Sequence, residues 1–207
     1  MGRPVGADGE QTRQRIISSA MRCVAEVGYS KATIRQIAKT ADMTSGSLYH
    51  YFPNKSELLE ATVGAIDEIA LLRLRAAAAQ ADNIVDRLEA VLDESHRLMR
   101  EYPHLAAFDR AMRAENTAHT RGRRASYPGL KALRDVINDI VDDAYPPGTA
   151  DAIYALTRGL TERAANLTPE AYEATLGSAK ELIRGTLFAR QQRRPASTAP
   201  RRSVRRP

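Results

Sequence analysis

The 207-residue chain is long enough for one or two small domains with a buried core. Apolar residues make up 43% of it and recur in periodic blocks, which excludes a collagen-like or wholly disordered protein. The single cysteine, Cys23, excludes an intrachain disulfide, and the four histidines do not complete a CxxC-type zinc framework. Because the first residues lack the apolar stretch of a secretory signal and no segment approaches the roughly 18 apolar residues of a membrane span, we expect a cytoplasmic protein with no membrane partner.

The net charge of +6 is concentrated at the end of the chain. Residues 190–207 contain seven arginines and no acidic residue, whereas residues 61–189 contain more acidic than basic residues. The terminal segment has no apolar periodicity, so we expect a disordered Arg-rich tail there. The overall basicity therefore says little about the folded part of the chain.

Helical periodicity recurs from residue 11 to about residue 190, and no strand pattern interrupts it. We therefore predict an all-α fold with about nine helices. The first three are expected at residues 11–27, ended by Gly28, at Ile34–Thr40 after a capping Thr33, and from a capping Thr44 or Ser45 to about Tyr51.

Capping residues and prolines place the remaining helices. Asn54 and Glu57 have the spacing of a capping box and open a long helix. Asp82 is predicted to cap the next helix, which Pro103 ends. The others are expected at residues 104–115, 130–144, 149–166 with Thr149 as its cap, and 168–189 with Thr168 as its cap, with a loop at residues 117–128.

Two short helices joined by residues 41–44 fit a helix-turn-helix, whose second helix enters the major groove of DNA. Leu48, Tyr51 and Phe52 are predicted to pack against the preceding helices. The outward face is then small and polar, and consists of Ser45, Gly46, Ser47, Tyr49 and His50. Periodicity alone leaves two interpretations open, a DNA-binding surface and an ordinary helical domain.

The stretch ATIRQIAKTADMTSGSLYHYFPNKSELL, with GYSKAT at its start, resembles the N-terminal DNA-binding domain of the TetR family of bacterial transcription regulators. The matching features are Thr33, Ile37-Ala38, Met43-Thr44, Gly46, Leu48 through Phe52, Lys55 and Glu57-Leu58. The resemblance covers roughly residues 11–60. The expected organisation is a flexible N-terminus at 1–10, a helix-turn-helix domain at 11–57, a helical effector-binding and dimerisation domain at 58–189, and the tail at 190–207.

The resemblance implies a homodimer that binds a near-palindromic double-stranded operator, usually as a repressor, and releases it when a small-molecule effector binds. By matching position, the residues that would position the DNA backbone are Thr33, Ser47, Tyr49, His50 and Lys55. Those that would lie nearest the bases are Arg35, Thr44, Ser45 and Gly46. Arg35 is the candidate for reading guanine, because it supplies the guanidinium of this predicted surface. The alternative for Arg35 is an exposed helix charge.

Candidate effector and dimer contacts lie on the later helices. Aromatic, Met and His side chains suggest a largely apolar effector with one or two polar groups, although each also fits a simple core. These candidates are His96, Met99, Tyr102, His104, Phe108, Met112 and Tyr154. The last two helices are predicted to form a four-helix bundle with the same two helices of a second subunit. The alternative is that they pack within one subunit. Their candidate contacts are Ile153, Leu156, Leu160, Tyr172, Leu176, Ala179, Ile183 and Leu187.

The sequence motifs GxSxG, GxxxxGK[ST], HExxH and GxGxxG are absent, so we expect neither catalysis nor a cofactor. Cys23 lies beside an apolar stripe and is predicted to pack rather than to sense redox state. Glu115 and His119 are four residues apart but lack a second such pair, so no metal site is expected. Two other functions stay open: a helical module that has lost DNA binding, and an RNA- or membrane-surface-binding protein that acts through its basic tail.

Overall fold

The computed structural model describes residues 7–119, 131–141 and 145–187, and the predicted tail at 190–207 lies outside these ranges. Within them the chain forms nine helices and no strand, which confirms the all-α fold. None of these helices combines the length and apolar character needed to cross a bilayer. The helices are α1 Ala7–Val27, α2 Ile34–Thr40, α3 Ser45–Tyr49, α4 Lys55–Ala78, α5 Ile84–Glu101, α6 Leu105–His119, α7 Ala132–Ile140, α8 Thr149–Ala164 and α9 Pro169–Ile183.

Local capping chemistry sets the start of several helices as predicted. Thr33 forms a full capping box with Gln36: its Oγ1 accepts from the Gln36 N–H at 3.2 Å, and the Gln36 side chain accepts from the Thr33 N–H at 3.0 Å. Thr44, rather than Ser45, caps α3. Thr168 caps α9, with Pro169 in its first turn.

Two predicted caps are wrong by one residue. Asn83, not Asp82, caps α5 by accepting from the Asp86 N–H at 3.0 Å. Thr149 is the first residue of α8 and donates its hydroxyl to the Pro146 carbonyl at 2.7 Å, while Gly148 precedes the helix with a φ of 86°. A cap is decided by which oxygen reaches the third N–H of the helix, and composition does not distinguish adjacent polar residues.

Several helix ends also differ from the prediction, and α7, expected to reach residue 144, ends at Ile140. Helix α1 already includes residues 7–10, which were assigned to the flexible N-terminus, and Asp8 and Glu10 favour its first turn. Helix α6 continues to His119, into the predicted loop. Helix α9 ends at Ile183 because Gly185, with a φ of 72°, turns the chain, and Leu187 donates its N–H back to Glu181. Leu187 therefore lies beyond the helix, and its place on a helical dimer stripe is wrong.

One hydrophobic core runs through α1 to α7, and a smaller one lies between α5, α8 and α9. Cys23 is buried in the first of them, and burial raises the pKa of its thiol, which fits the predicted packing role. Phe52 is also buried, but Tyr51 is 38% exposed, so the predicted packing of Tyr51 is wrong.

Helix α7 has no capping side chain of its own. Asp67 of α4 instead accepts from the N–H groups of Lys131 and Ala132, both at 2.8 Å. A carboxylate at a helix N-terminus satisfies free N–H groups and complements the helix dipole. Helix α4 thus positions α7 as well as the core around it.

Asp42 lies between α2 and α3 with a φ of 53°, in the left-handed region that side chains with a branched Cβ disfavour. We expect Asp42→Val to lower the free energy of unfolding by about 1–2 kcal/mol. Asn and Gly tolerate this conformation, so Asp42→Asn and Asp42→Gly should leave the free energy of unfolding unchanged. Chemical denaturation of the three variants checks this, and equal stability of the Val and Asn proteins would contradict a strained turn.

Candidate nucleic-acid interface and internal cavity

Helices α2 and α3 form a helix-turn-helix whose geometry is held from inside. Across the turn, the Met43 N–H donates to the Ala38 carbonyl at 3.0 Å and the Asp42 N–H to the Lys39 carbonyl at 3.2 Å. Leu48 is fully buried and Phe52 is 4% exposed, so they attach α3 to the core. The opposite side of α3 consequently faces outward.

That outward side carries the predicted polar residues. Tyr49 is 51% exposed, Gly46, Ser47 and His50 are also exposed, and Ser45 is half-buried. Within the described ranges, the side chains of Tyr49, His50 and Arg35 have neither a hydrogen-bond nor an ion-pair partner. These donors are therefore available to a ligand outside the chain.

Arg35 of α2 lies close to the start of α3. Arg35, Thr44 and Ser45, all predicted to lie near the bases, line one concave surface together with Lys39, Asp42 and Met43. The sequence analysis missed Lys39, although its position one helical turn after Arg35 places both on one face. The structure thus brings a guanidinium and an ammonium group together beside the recognition helix.

The hydroxyls of two predicted DNA contacts already have partners. Thr44 Oγ1 accepts from the Ser47 N–H at 3.1 Å and lies 3.0 Å from Ser47 Oγ. Thr33 Oγ1 both accepts from the Gln36 N–H and donates to the Gln36 side chain at 2.9 Å. These hydroxyls fix the starts of α3 and α2, so contacts from them to DNA would have to share these bonds.

Lys55, the first residue of α4, makes contacts that the sequence did not reveal. Its Nζ donates to the carbonyls of Tyr29 at 2.9 Å and Ala32 at 3.1 Å, and lies 4.3 Å from the centre of the Tyr29 ring. Two of its three donors are thereby used within the chain. Lys55 ties the start of α4 to the connection between α1 and α2, and these two hydrogen bonds leave one of its N–H donors unused.

A cavity of about 70 Å³ lies among α4, α5, α6, α7 and α8, with room for roughly five water molecules. Its lining is mostly apolar and consists of Ala70, Leu74, Ser95, Leu98, Met99, Leu105, Asp109, Ala132, Leu133, Tyr154, Arg158 and Thr161. Of the predicted effector contacts, Met99 and Tyr154 line it. Helix α4 contributes both to this cavity and to the core beneath the helix-turn-helix.

The other predicted effector contacts lie elsewhere. Phe108 and Met112 are buried and line no part of this cavity. Tyr102 and His104 are half-buried and also lie outside its lining. His96 lies in a separate cleft, where its ring stacks on Tyr172 at a centroid distance of 4.9 Å. Met99 lines both this cleft and the cavity.

The polar side of the cavity contains residues that the sequence analysis missed. Asp109 forms an ion pair with Arg113, one helical turn further along α6. Arg158 Nη1 lies 3.5 Å from the hydroxyl of Tyr154, one turn earlier on α8. Burial, together with the positive charge of Arg158, lowers the pKa of Arg113 to about 10. The spacing of four residues in both pairs was the available signal.

Four predicted dimer contacts are buried within a single chain. Leu160, Tyr172, Leu176 and Ala179 pack with Leu92 of α5 in the smaller core, so their side chains are not available to a partner. The other helical candidates, Ile153, Leu156 and Ile183, are half-buried. For the four buried residues, the alternative of packing within one subunit is therefore the one observed.

Comparison with known proteins agrees with this architecture. Residues 16–62 match the family profile described as bacterial regulatory proteins, tetR family. The HTH-type transcriptional regulator SrpR of Pseudomonas putida is 42% identical over 65 residues, which cover 31% of this chain and 30% of SrpR. The chain thus spans about a third of the length of the curated relatives it matches.

Two solved structures share the fold along most of the chain. The fatty acid degradation regulator FadR from Bacillus halodurans superposes with a TM-score of 0.67 at 16% identity, over 83% of this chain and 93% of that one. FadR from Bacillus subtilis, solved in complex with stearoyl-CoA, gives a TM-score of 0.65 at 18% identity, over 84% and 98% of the two chains. Residues 16–62 thus match the helix-turn-helix domain of bacterial regulatory proteins of the tetR family, and the two solved structures share the fold of the helices that follow.

Proposed function

We propose that the protein is a repressor that binds a near-palindromic operator as a homodimer and releases it when a small molecule occupies the helical domain. The observation that carries the proposal is the outward face of α2 and α3, where exposed Arg35, Tyr49 and His50 have no partner in the described chain. Exposed donors on a recognition helix match the pattern of phosphate and base contacts in helix-turn-helix complexes.

Each side chain on this face has a proposed role. Tyr49, His50 and Ser47 donate hydrogen bonds to DNA phosphates, and Lys55 donates its remaining N–H to a phosphate as well. The start of α2, at Thr33, lies against the DNA backbone. Arg35, Thr44, Ser45 and Gly46 approach the base edges. A Cβ on Gly46 would meet only Thr44 Oγ1 at 3.7 Å, so packing within the chain does not require glycine there. This supports a role for Gly46 in close approach to DNA.

We expect Tyr49→Phe and Arg35→Ala to affect operator binding differently. Loss of the Tyr49 hydroxyl removes a phosphate contact, so affinity should fall by about 1.5–3 kcal/mol on all operator variants alike. Loss of Arg35 should cost about 1–3 kcal/mol and relax the preference at particular base pairs. Fluorescence anisotropy at fixed salt, with DNA flanking the protein's own gene and single-base variants of it, measures both.

The matched control for the tyrosine variant is Tyr145→Phe, because Tyr145 precedes α8 and is 39% exposed. That variant should bind operator as the wild type does. Operator affinity unchanged in both folded Tyr49 and Arg35 variants would rule out this face as the DNA-binding surface.

We propose that the dimer forms through the exposed sides of α8 and α9. The buried sides of these helices are occupied by the smaller core. On the opposite side of α9, Leu182 is 46% exposed, and Gly159 of α8 and Gly177 of α9 are exposed with open space around them. An exposed large apolar residue and exposed glycines on these helices permit close packing of two helix pairs in a four-helix bundle.

Leu182→Arg is expected to give a folded monomer, because it places a charge in the proposed interface and leaves the core intact. Leu72→Arg is the matched control: Leu72 is 66% exposed on α4, outside the proposed surface, and its variant should stay dimeric. Leu176→Arg should instead unfold the smaller core, since Leu176 is buried. Sedimentation velocity at micromolar concentration separates these results, and a monomeric wild type or a dimeric Leu182 variant would contradict the interface.

Two helices connect the cavity with the DNA-binding end. Helix α4 contributes Ala70 and Leu74 to the cavity, and α6 contributes Leu105. Further along α6, Glu115 accepts a hydrogen bond from the Ser30 hydroxyl, in the connection between α1 and α2, at 3.0 Å. A ligand that moves either helix alters the separation of the two recognition helices, which must match half-sites about 34–36 Å apart. The acyl-CoA complex of the similarly folded FadR supports small-molecule control of this kind.

A further inference from the structure

The polar side of the cavity contains a guanidinium without a charged partner. Arg158 lines the cavity, and its Nε is buried with no hydrogen-bond partner among the described residues. Its one hydrogen bond within those ranges is the long contact of 3.5 Å to the Tyr154 hydroxyl. No carboxylate of the described chain forms an ion pair with it.

The nearby acidic residues are already paired with other arginines. Asp109 pairs with Arg113. Glu162 lies 3.6 Å from a guanidinium nitrogen of Arg110 and 3.8 Å from one of Arg113. Of the two charged residues that line the cavity, Asp109 is thus paired with Arg113, and Arg158 has no carboxylate partner in the described chain.

The hydroxyls around the cavity do not change this balance. Ser95 donates its proton to the Val91 carbonyl at 2.8 Å, and Thr161 donates to the Thr157 carbonyl at 3.1 Å. Both hydroxyl protons are therefore directed to the backbone of their own helices. Arg158 is left as the charged donor on the cavity wall.

A buried N–H without a partner is costly, and a carboxylate that reaches the half-buried guanidinium of Arg158 is held by charge-assisted and potentially bidentate hydrogen bonds. Apart from Asp109, Tyr154 and the two hydroxyls, the rest of the wall is apolar, and the cavity volume of about 70 Å³ limits the size of what fits. We propose that the ligand of this cavity is a small organic carboxylic acid with a compact apolar body, its carboxylate bound by Arg158. This proposal rests on the proposed function, since it names the class of effector that the cavity accepts.

The test compares acids with their neutral amides by isothermal titration, without DNA. Acetate and propionate are the acidic probes, and acetamide and propionamide are the matched neutral probes, all at pH 7.5. The wild type should bind at least one acid tenfold or more tightly than its amide. Arg158→Gln should abolish this preference. Arg134→Gln should retain it, because Arg134 is exposed, lies on the ring of Tyr154 at 5.1 Å and pairs with Asp151.

Equal affinity of the wild type for acid and amide, no binding of any of the four probes, or an acid preference that survives Arg158→Gln would overturn the proposal. The wild-type comparison decides the question even if the variant does not fold. Operator binding by the same preparations is measured in parallel. A protein that binds operator but does not prefer acids refutes the ligand class alone, whereas loss of operator binding in the wild type refutes the proposed function.

Discussion

Helix α4 links the helix-turn-helix with the cavity. The two hydrogen bonds from Lys55 Nζ hold the first residue of this helix against the connection between α1 and α2. The helix has 24 residues and so spans about 36 Å. Its first turns bury Leu58 and Leu59 beneath the helix-turn-helix, and its last turns supply Leu74 to the cavity. Asp67, between them, caps α7. Any reorientation of α4 therefore acts on the recognition helix, the cavity and the helix beside it together.

On the proposed DNA-binding face, only some of the side chains remain free to contact DNA. The short helices α2 and α3 depend on Thr33 and Thr44 as caps, and a cap of this kind is worth about 1 kcal/mol. Among the described residues of this face, the exposed side chains that have no hydrogen-bond or ion-pair partner include Arg35, Lys39, Tyr49 and His50. Because some residues build the turn and others face outward, this surface is packed from inside and still polar.

Local signals made much of the fold predictable. The caps Thr33, Thr44 and Thr168 act within three residues of their own position, and the buried stripes follow helical spacing. The contacts that escaped prediction join residues far apart in the chain, such as Lys55 with the Tyr29 carbonyl. The dimer stripe shows the same limit, because periodicity indicates that Leu176 faces apolar surroundings but does not indicate whether these belong to α5 or to a second subunit.

Amide hydrogen exchange in Lys55→Met tests whether Lys55 anchors α4 to the connection between α1 and α2. Two charge-assisted hydrogen bonds are lost, so exchange in residues 28–33, including the Ala32 amide that donates to Gly28 at 3.1 Å, should accelerate about tenfold or more. Exchange in α9 should not change. Lys39→Met, which removes an exposed lysine of α2, serves as the control. Unchanged exchange in residues 28–33 of the Lys55 variant, or an equal increase in the Lys39 variant, would contradict this anchoring role of Lys55.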